Sequence, residues 1–420
     1  MYKHLISIVL STFISLQLFS QVISQWRGPD GTGIYNEINL LKEWSAGGPT
    51  LLWSTDGLGK GNSSAVSDQN AVYVTGMKDS TDYITAISHQ GKILWTTGFG
   101  LAWNQSFPDT RTTPTVENGN LYVISGRGTI ACIDAKDGKI KWSVDGFKKF
   151  NGACGEWGVC ESPLIVDDKL IYTPAGTKTT MVALNKNTGE TVWMSESLKD
   201  TSAYVSPRLI EYAGKNFIVT IIAEYLIGVE PQTGKIAWKF DYGSFKKEKS
   251  ILVWPGAPQT NTITPLFSDG NLYITGGYNH VGAMFKLNSD ASNIELQWSD
   301  TTLDCHHGGV VLVDGYIYGS NWINNANGNW CCIDWKTGKT MYEQKWFTKG
   351  SIIAADGMLY CYEEKSGNVA LVRPTPDKFD VVSSFKIPKG TGPHWAHPYI
   401  SNGILYIRHG DVLMAYNIKK

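Results

Sequence analysis

The chain has 420 residues, a formal net charge of −1 and 18% charged residues. A charge so close to neutral excludes an electrostatic basis for binding nucleic acid or an anionic membrane surface. With 44 Gly, 16 Trp and 20 Tyr, the composition suits an all-β protein with many turns and aromatic packing.

The N-terminus reads as a secretory leader. Lys3 and His4 precede an apolar run from Leu5 to Phe19, and Val22-Ile23-Ser24 supplies modest residues at the cleavage positions. The expectation is a signal peptide over residues 1–24, cut before Gln25, with a periplasmic or secreted mature chain. No Cys stands near the cut to carry a lipid, and no later segment is long and apolar enough to span a bilayer.

Beyond the leader the chain repeats. An aromatic residue closes a turn-then-strand signal eight times, at Tyr73, Tyr122, Tyr172, Phe217, Tyr273, Tyr318, Tyr360 and Tyr406. Such a unit cannot bury its own apolar faces, so the copies must stack on one another. Each copy divides into four short strands. Strand A is a segment such as Thr113–Val116, and an Asp/Asn-Gly turn leads to strand B with the aromatic. Strand C follows a variable loop, as in Ile130–Asp134, and a tight Gly turn leads to strand D with its Trp, as in Gly138–Trp142. Strand-D aromatics stand at Trp95, Trp142, Trp193, Trp238, Trp298, Tyr342 and Phe385. The eighth is Trp53, in Pro49–Trp53, a strand D with no blade before it. The spacing therefore predicts one domain over residues 25–420: an all-β, eight-bladed propeller of four-stranded antiparallel blades. Its N-terminal strand completes the last blade and removes the free sheet edges.

Seven cysteines is an odd number for an exported chain. Cys154 and Cys160 lie in one loop and are the disulfide candidate. Cys132, Cys331 and Cys332 fall in C strands and read as packed thiols.

In a propeller, the D–A and B–C connections open on one face. His280 and His409 fall in B–C loops, and His306, His307, His394 and His397 at the starts of A strands, so all six belong to that face. His89 falls in a C–D turn on the other. Corresponding positions supply Asn62, Arg111, Glu161, Tyr204, Asn261 and Lys349, with Arg408 beside His409. Trp103, Trp157, Trp254 and Trp395 lie in the D–A connections. A polar ring with aromatic walls at a channel mouth is the form of a small-molecule site. Proton transfer there requires His306 or His394 beside Glu161 or Asp304. His307, His397, His409, Arg408, Arg111, Tyr204, Asn62, Lys349, Trp157 and Trp395 are the candidate ligand-binding residues. Each also has a bland reading, because channel mouths are wet and polar A-strand ends occur in propellers that bind nothing. No metal-spacing motif is complete, so a metal is not specified.

The repeat resembles the pyrroloquinoline-quinone-like (PQQ-like) propeller family, with Gly-Lys-x-x-Trp as its docking motif. That family includes quinoprotein alcohol dehydrogenases and non-enzymatic scaffolds of the BamB type. The resemblance implies that the docking Trp residues pack blade against blade. A quinoprotein would hold PQQ with Ca²⁺ at the channel, a catalytic Asp, and a disulfide of adjacent cysteines over the cofactor. Cys331-Cys332 matches that pair in sequence, but its register places it in strand C, away from the mouth, and the chain is shorter than those enzymes. A BamB-like scaffold would bind a protein partner through its loops. The missing lipoprotein Cys and the gathering of His and Trp on one face depart from it. Two functions follow: binding of a small polar molecule, a carbohydrate or polyol, with redox or acid–base turnover left open, or a protein-interaction scaffold.

Overall fold

The Asp/Asn-Gly turns shape each blade. Asn118 and Gly119 both take positive φ (50° and 73°), as do Asp314 and Gly315 (49° and 81°). That double left-handed conformation matches the twist of a tight hairpin, which is why Asn or Asp precedes Gly here. A computed structural model describes residues 23–249 and 260–420. Residues 1–22 of the expected leader and Trp254 lie outside the described residues.

The strands form eight sheets with four antiparallel strands each, in chain order except in blade 8, and the blade 7 sheet carries Ile34–Tyr35 as a fifth, parallel strand. Blade 1 spans residues 66–101, blade 2 residues 115–145, blade 3 residues 164–194 and blade 4 residues 208–241. Blades 5, 6 and 7 span residues 266–300, 310–344 and 350–386. Blade 8 has three strands between Tyr399 and Asn417, and its outer strand is Thr50–Thr55, paired with the C-terminal strand from Thr50↔Asn417 to Thr55↔Leu413. The predicted closure is present.

Blade-to-blade docking is a two-residue device. Trp95 of blade 1 donates from Nε1 to the Ala135 carbonyl of blade 2 at 3.3 Å, and Trp142 to Lys186 of blade 3 at 3.0 Å. Trp193 reaches Pro231 at 2.9 Å, and Trp53 closes the ring on His89 at 2.9 Å. Under each ring lies the next blade's C–D glycine. A Cβ on Gly138 would stand 2.6 Å from Trp95, and one on Gly234 2.4 Å from Trp193. Blade 5 has Ala291, not Gly, at φ 56° in this turn, and the facing Trp238 Nε1 has no partner.

The channel is threaded by the chain itself. Ser24 bridges Val116 of blade 2, and its Oγ lies 3.0 Å from Tyr399 Oη of blade 8. Gly31 packs against Arg208 of blade 4, and Ile34–Tyr35 runs parallel to Ala354–Ala355 of blade 7. Residues 23–35 thus fill the axis that the A strands surround. Ser24, which the expected cleavage would remove, makes two backbone hydrogen bonds in this arrangement.

Candidate functional site

Arg27 is the bolt of the channel. Its guanidinium donates to the Ile352 carbonyl at 3.2 Å, the Thr32 carbonyl at 3.2 Å, the Val310 carbonyl at 2.5 Å and His397 Nδ1 at 3.0 Å. With Nδ1 accepting, His397 carries its proton on Nε2 and donates it to the His307 carbonyl at 2.8 Å. Both nitrogens of His397 are consumed. Burial holds this ring well below the usual imidazole range, so it is neutral.

His307 and His306 lie above it. Their Nδ1 atoms are 2.9 Å apart, and His307 Nε2 stands 3.3 Å from Glu364 Oε2. Burial lowers His307 to about 3 and His306 well below its ordinary value, so one neutral ring donates and the other accepts. The tautomer that offers Glu364 a proton makes His307 Nδ1 the acceptor and leaves His306 Nε2 as a lone pair. Glu364, in the B–C loop of blade 7, has no counterpart among the sequence candidates. It also binds Lys349 Nζ at 2.6 Å.

Rings continue across the mouth. Phe107, Trp395, His307, His306, Tyr278 and Trp322 follow one another at centroid separations of 6.2, 5.3, 4.4, 4.6 and 5.0 Å. Trp157, from the blade 2–3 connection, packs onto Tyr278 and Trp322 of blades 5 and 6. Side chains from opposite sides of the ring therefore meet over the axis. The mouth is an aromatic roof, with a filled channel below it.

The remaining candidates divide by what they already hold. Arg408 is 1% exposed and gives its protons to the carbonyls of Gly410, Gly59 and Thr75 and to Ser63 Oγ. It clamps blade 8 to blade 1, with four of its five N–H donors engaged inside the protein. Lys349 spends its three protons on the Asn324 and Asn325 carbonyls, at 2.9 Å each, and on Glu364. His409 faces the Lys389 and Gly392 carbonyls with its two nitrogens, each at 2.8 Å. His394 does not join the His306 pair. It stacks on His409 at 3.7 Å with Nδ1 2.6 Å from Tyr362 Oη, and burial lowers it to about 4. Glu161 is buried, accepts from Thr173 N with both oxygens at 3.1 Å, and is pushed up to about 8 by desolvation. No hydrogen bond or ion pair joins it to His306 or His394 among the described residues; Asp304, the other expected carboxylate, accepts from Asn279 N at 2.7 Å and is pushed up to about 8 by burial. Asn261 is fully buried and tied to Lys246, Ile222 and Ala223. His280 is buried with neither ring nitrogen hydrogen-bonded.

Near the surface, Arg111 pairs with Asp109 at 2.9 Å and donates to the Trp157 carbonyl at 3.0 Å, while Asn62 donates to Asp109. Tyr204 Oη accepts from Trp157 N at 3.3 Å. These residues hold the roof in place from the blade 1–4 side.

The cysteine expectations meet different outcomes. Cys154 and Cys160 are both free thiols, so the candidate bridge is not formed in this structure. Cys132, Cys331 and Cys332 are packed, at 1%, 1% and 0% exposure. Cys331 and Cys332 point into two separate cores, on either side of blade 6. They cannot lie over a cofactor at the mouth. Nor does any group of three His, Cys, Asp or Glu side chains converge to hold a metal among the described residues. Neither an adjacent-cysteine bridge at the mouth nor a three-ligand metal cluster is assembled for PQQ with Ca²⁺ among the described residues.

Eight four-stranded blades, Trp–Gly docking and a closing N-terminal strand define a PQQ-like β-propeller. A family model described as outer membrane protein assembly factor BamB matches residues 80–344. The chain belongs to that family. Among curated relatives, an uncharacterized protein of Rickettsia conorii is 26% identical over 43% of this chain and 40% of its own length. The outer membrane protein assembly factor BamB of Alkalilimnicola ehrlichii is 24% identical over 51% of this chain and 50% of its own. The chain thus spans half or less of the length of these relatives. The crystal structure of BamB from Moraxella catarrhalis superposes with a TM-score of 0.62 at 14% identity, covering 88% of this chain and 99% of that one. Quinohemoprotein alcohol dehydrogenase from Comamonas testosteroni gives 0.65 at 13% identity, covering 93% and 79%. At these identities the two structures establish the fold alone. No helix among the described residues is long and apolar enough to cross a membrane.

Proposed function

We propose that the protein is an exported interaction propeller that holds a protein partner against its mouth face. One observation carries this reading. Leu101, the last residue of strand D of blade 1, and Phe107, Ile323 and Phe347, in D–A or B–C connections of this face, are 59, 62, 49 and 54% exposed. Large apolar side chains on the loops of one face mark an interaction surface. Phe107 is also the outer end of the aromatic roof, which gives the patch a rigid base. Membership in a family described by an assembly factor supports the same class of function. A photo-crosslinking amino acid at Phe107 or Phe347, in the native host, tests it. Discrete adducts are expected from these positions and none from Ile38, which is 72% exposed near the opposite face. Equal adducts from Ile38, or none from the mouth, would refute the reading.

A second reading, a small polyhydroxyl ligand on the same face, is favoured by the His306–His307–Glu364 group. Neutral imidazoles accept from hydroxyls, Arg111 donates, and Trp395 offers a stacking face. A thermal-shift series with polyols and oligosaccharides on wild type and His306→Ala/His307→Ala decides it. A saturable shift lost in the variant supports ligand binding; identical responses sink it.

A further inference from the structure

Beside the threaded segment, a cavity of about 210 Å³ lies between residues 23–31 and the A strands of blades 3 and 4. Its walls include Trp26, Leu164, Ser162, Ser206 and Arg208. We propose that this cavity is a binding site for a small oxyanion, an inorganic phosphate or a short carboxylate, held by Arg208.

Arg208 is 8% exposed, yet its Nε–H is buried with no partner, and its one hydrogen bond runs from Nη1 to the Pro265 carbonyl at 3.3 Å. A buried cation with an unused donor is costly unless a counter-charge meets it. The nearby charges do not supply one. Arg27 is a second buried guanidinium, close enough for the two to act on each other, and its partners are three carbonyls and an imidazole. Asp30 is the acidic group that acts on Arg208, but it is exposed at the cavity edge and forms no ion pair with it among the described residues. Burial shifts both guanidiniums down to about 10, so both remain charged at neutral pH.

The serines add donors. Ser162 Oγ accepts from Thr113 N and Ser206 Oγ from Ser162 N, both at 2.9 Å. With each oxygen engaged as acceptor, its own O–H is available to turn toward the cavity. Two hydroxyls and Arg208 Nη2, which makes no hydrogen bond among the described residues, form a donor set on one wall suited to an anion. The volume equals that of roughly seven waters, enough for a tetrahedral oxyanion with part of its hydration.

The test uses the mature full-length protein at constant ionic strength, with chloride exchanged for phosphate, sulfate, acetate or malonate. In wild type, a saturable rise in melting temperature is expected with phosphate or with the carboxylates, and which series saturates identifies the occupant. Arg208→Gln should weaken the apparent affinity at least tenfold, and Ser206→Ala several-fold. Equal responses in wild type and Arg208→Gln, or a rise linear in concentration, would overturn the site. Should Arg208→Gln fail to fold, wild-type crystals soaked in selenate give an independent readout. An anomalous peak beside Arg208 supports the proposal, and an empty cavity at saturating selenate refutes it.

Discussion

Replacing two glycines of blade 2 with alanine separates backbone strain from blade docking. Gly119 and Gly138 have nearly the same left-handed φ, 73° and 75°. A Cβ on Gly119 meets nothing within 4 Å, whereas one on Gly138 meets Trp95 Cε3 and Thr97 Oγ1, each at 2.6 Å. Gly119→Ala therefore carries only the left-handed penalty of about 1–2 kcal/mol. Gly138→Ala adds overpacking of about 1–3 kcal/mol, since the Trp95 ring is pinned by its bond to Ala135. An unfolding entropy of about 2.1 cal/mol/K per residue makes 1 kcal/mol worth about 1 °C in a domain of this size. Calorimetry should then show losses of about 1–2 °C for Gly119→Ala and about 2–5 °C for Gly138→Ala. Equal losses would mean that the glycine under the docking Trp is there for its φ alone, and the docking argument would fail.

Other expectations follow from the same geometry. Arg27→Ala strands three carbonyls and His397 in the channel, so stability should fall by about 2–4 kcal/mol, and amide exchange should quicken across residues 23–35; unchanged exchange would show that Arg27 is not the bolt. Trp193→Phe loses the bond to Pro231 and should cost about 1 kcal/mol more than Trp238→Phe, whose Nε1 is unpartnered; urea midpoints at equal slope check the order. Glu161 ionises near 8 in the folded protein against an ordinary 4.5. Between those values the unfolded chain binds fewer protons, so this group's contribution to stability is full below about pH 4.5 and is lost as pH rises to about 8. Glu161→Gln should flatten that decline in melting temperature, and a parallel profile would contradict the burial of the carboxyl. His394, lowered to about 4, acts in the opposite sense, its contribution being lost as pH falls from about 6.5 to about 4.

The repeat was legible because its determinants are local. An Asp/Asn-Gly turn, an aromatic in strand B and a Gly-Lys-x-x-Trp element each act within one or two blades, and counting them gave eight blades and the closing strand at Trp53. The residues that terminate hydrogen-bond chains were not legible. Arg408 resembles a ligand-binding residue in sequence, and only its four carbonyl and hydroxyl partners show that it clamps two blades. Glu364 lies in an ordinary B–C loop and gains meaning from Lys349 and His307, whose proximity no spacing encodes. Arg27 sits in an irregular Gly- and Pro-rich stretch just after the expected leader, where no period signals that the segment turns inward. Faces could be assigned from the strand register, which put six histidines on one side. Their division into the His306–His307–His397 and His394–His409 groups depends on side-chain packing across blades.

The pairing of Thr50–Thr55 with the C-terminal strand joins residues up to 367 positions apart. Until the last strand emerges during synthesis, blade 8 lacks its edge and the ring stays open. The final event in folding is then a long-range zip with a high entropic threshold, slower than the formation of any single blade. Leu40 also bridges Lys419, so the two ends of the ring lie side by side. A circular permutant with a flexible linker from Lys420 to Gln25, opened at an exposed A–B turn such as Asn118-Gly119, would move the seam to blade 2 and keep every blade sheet. Its refolding rate, measured against the native order, would report how far the position of the seam sets the pace.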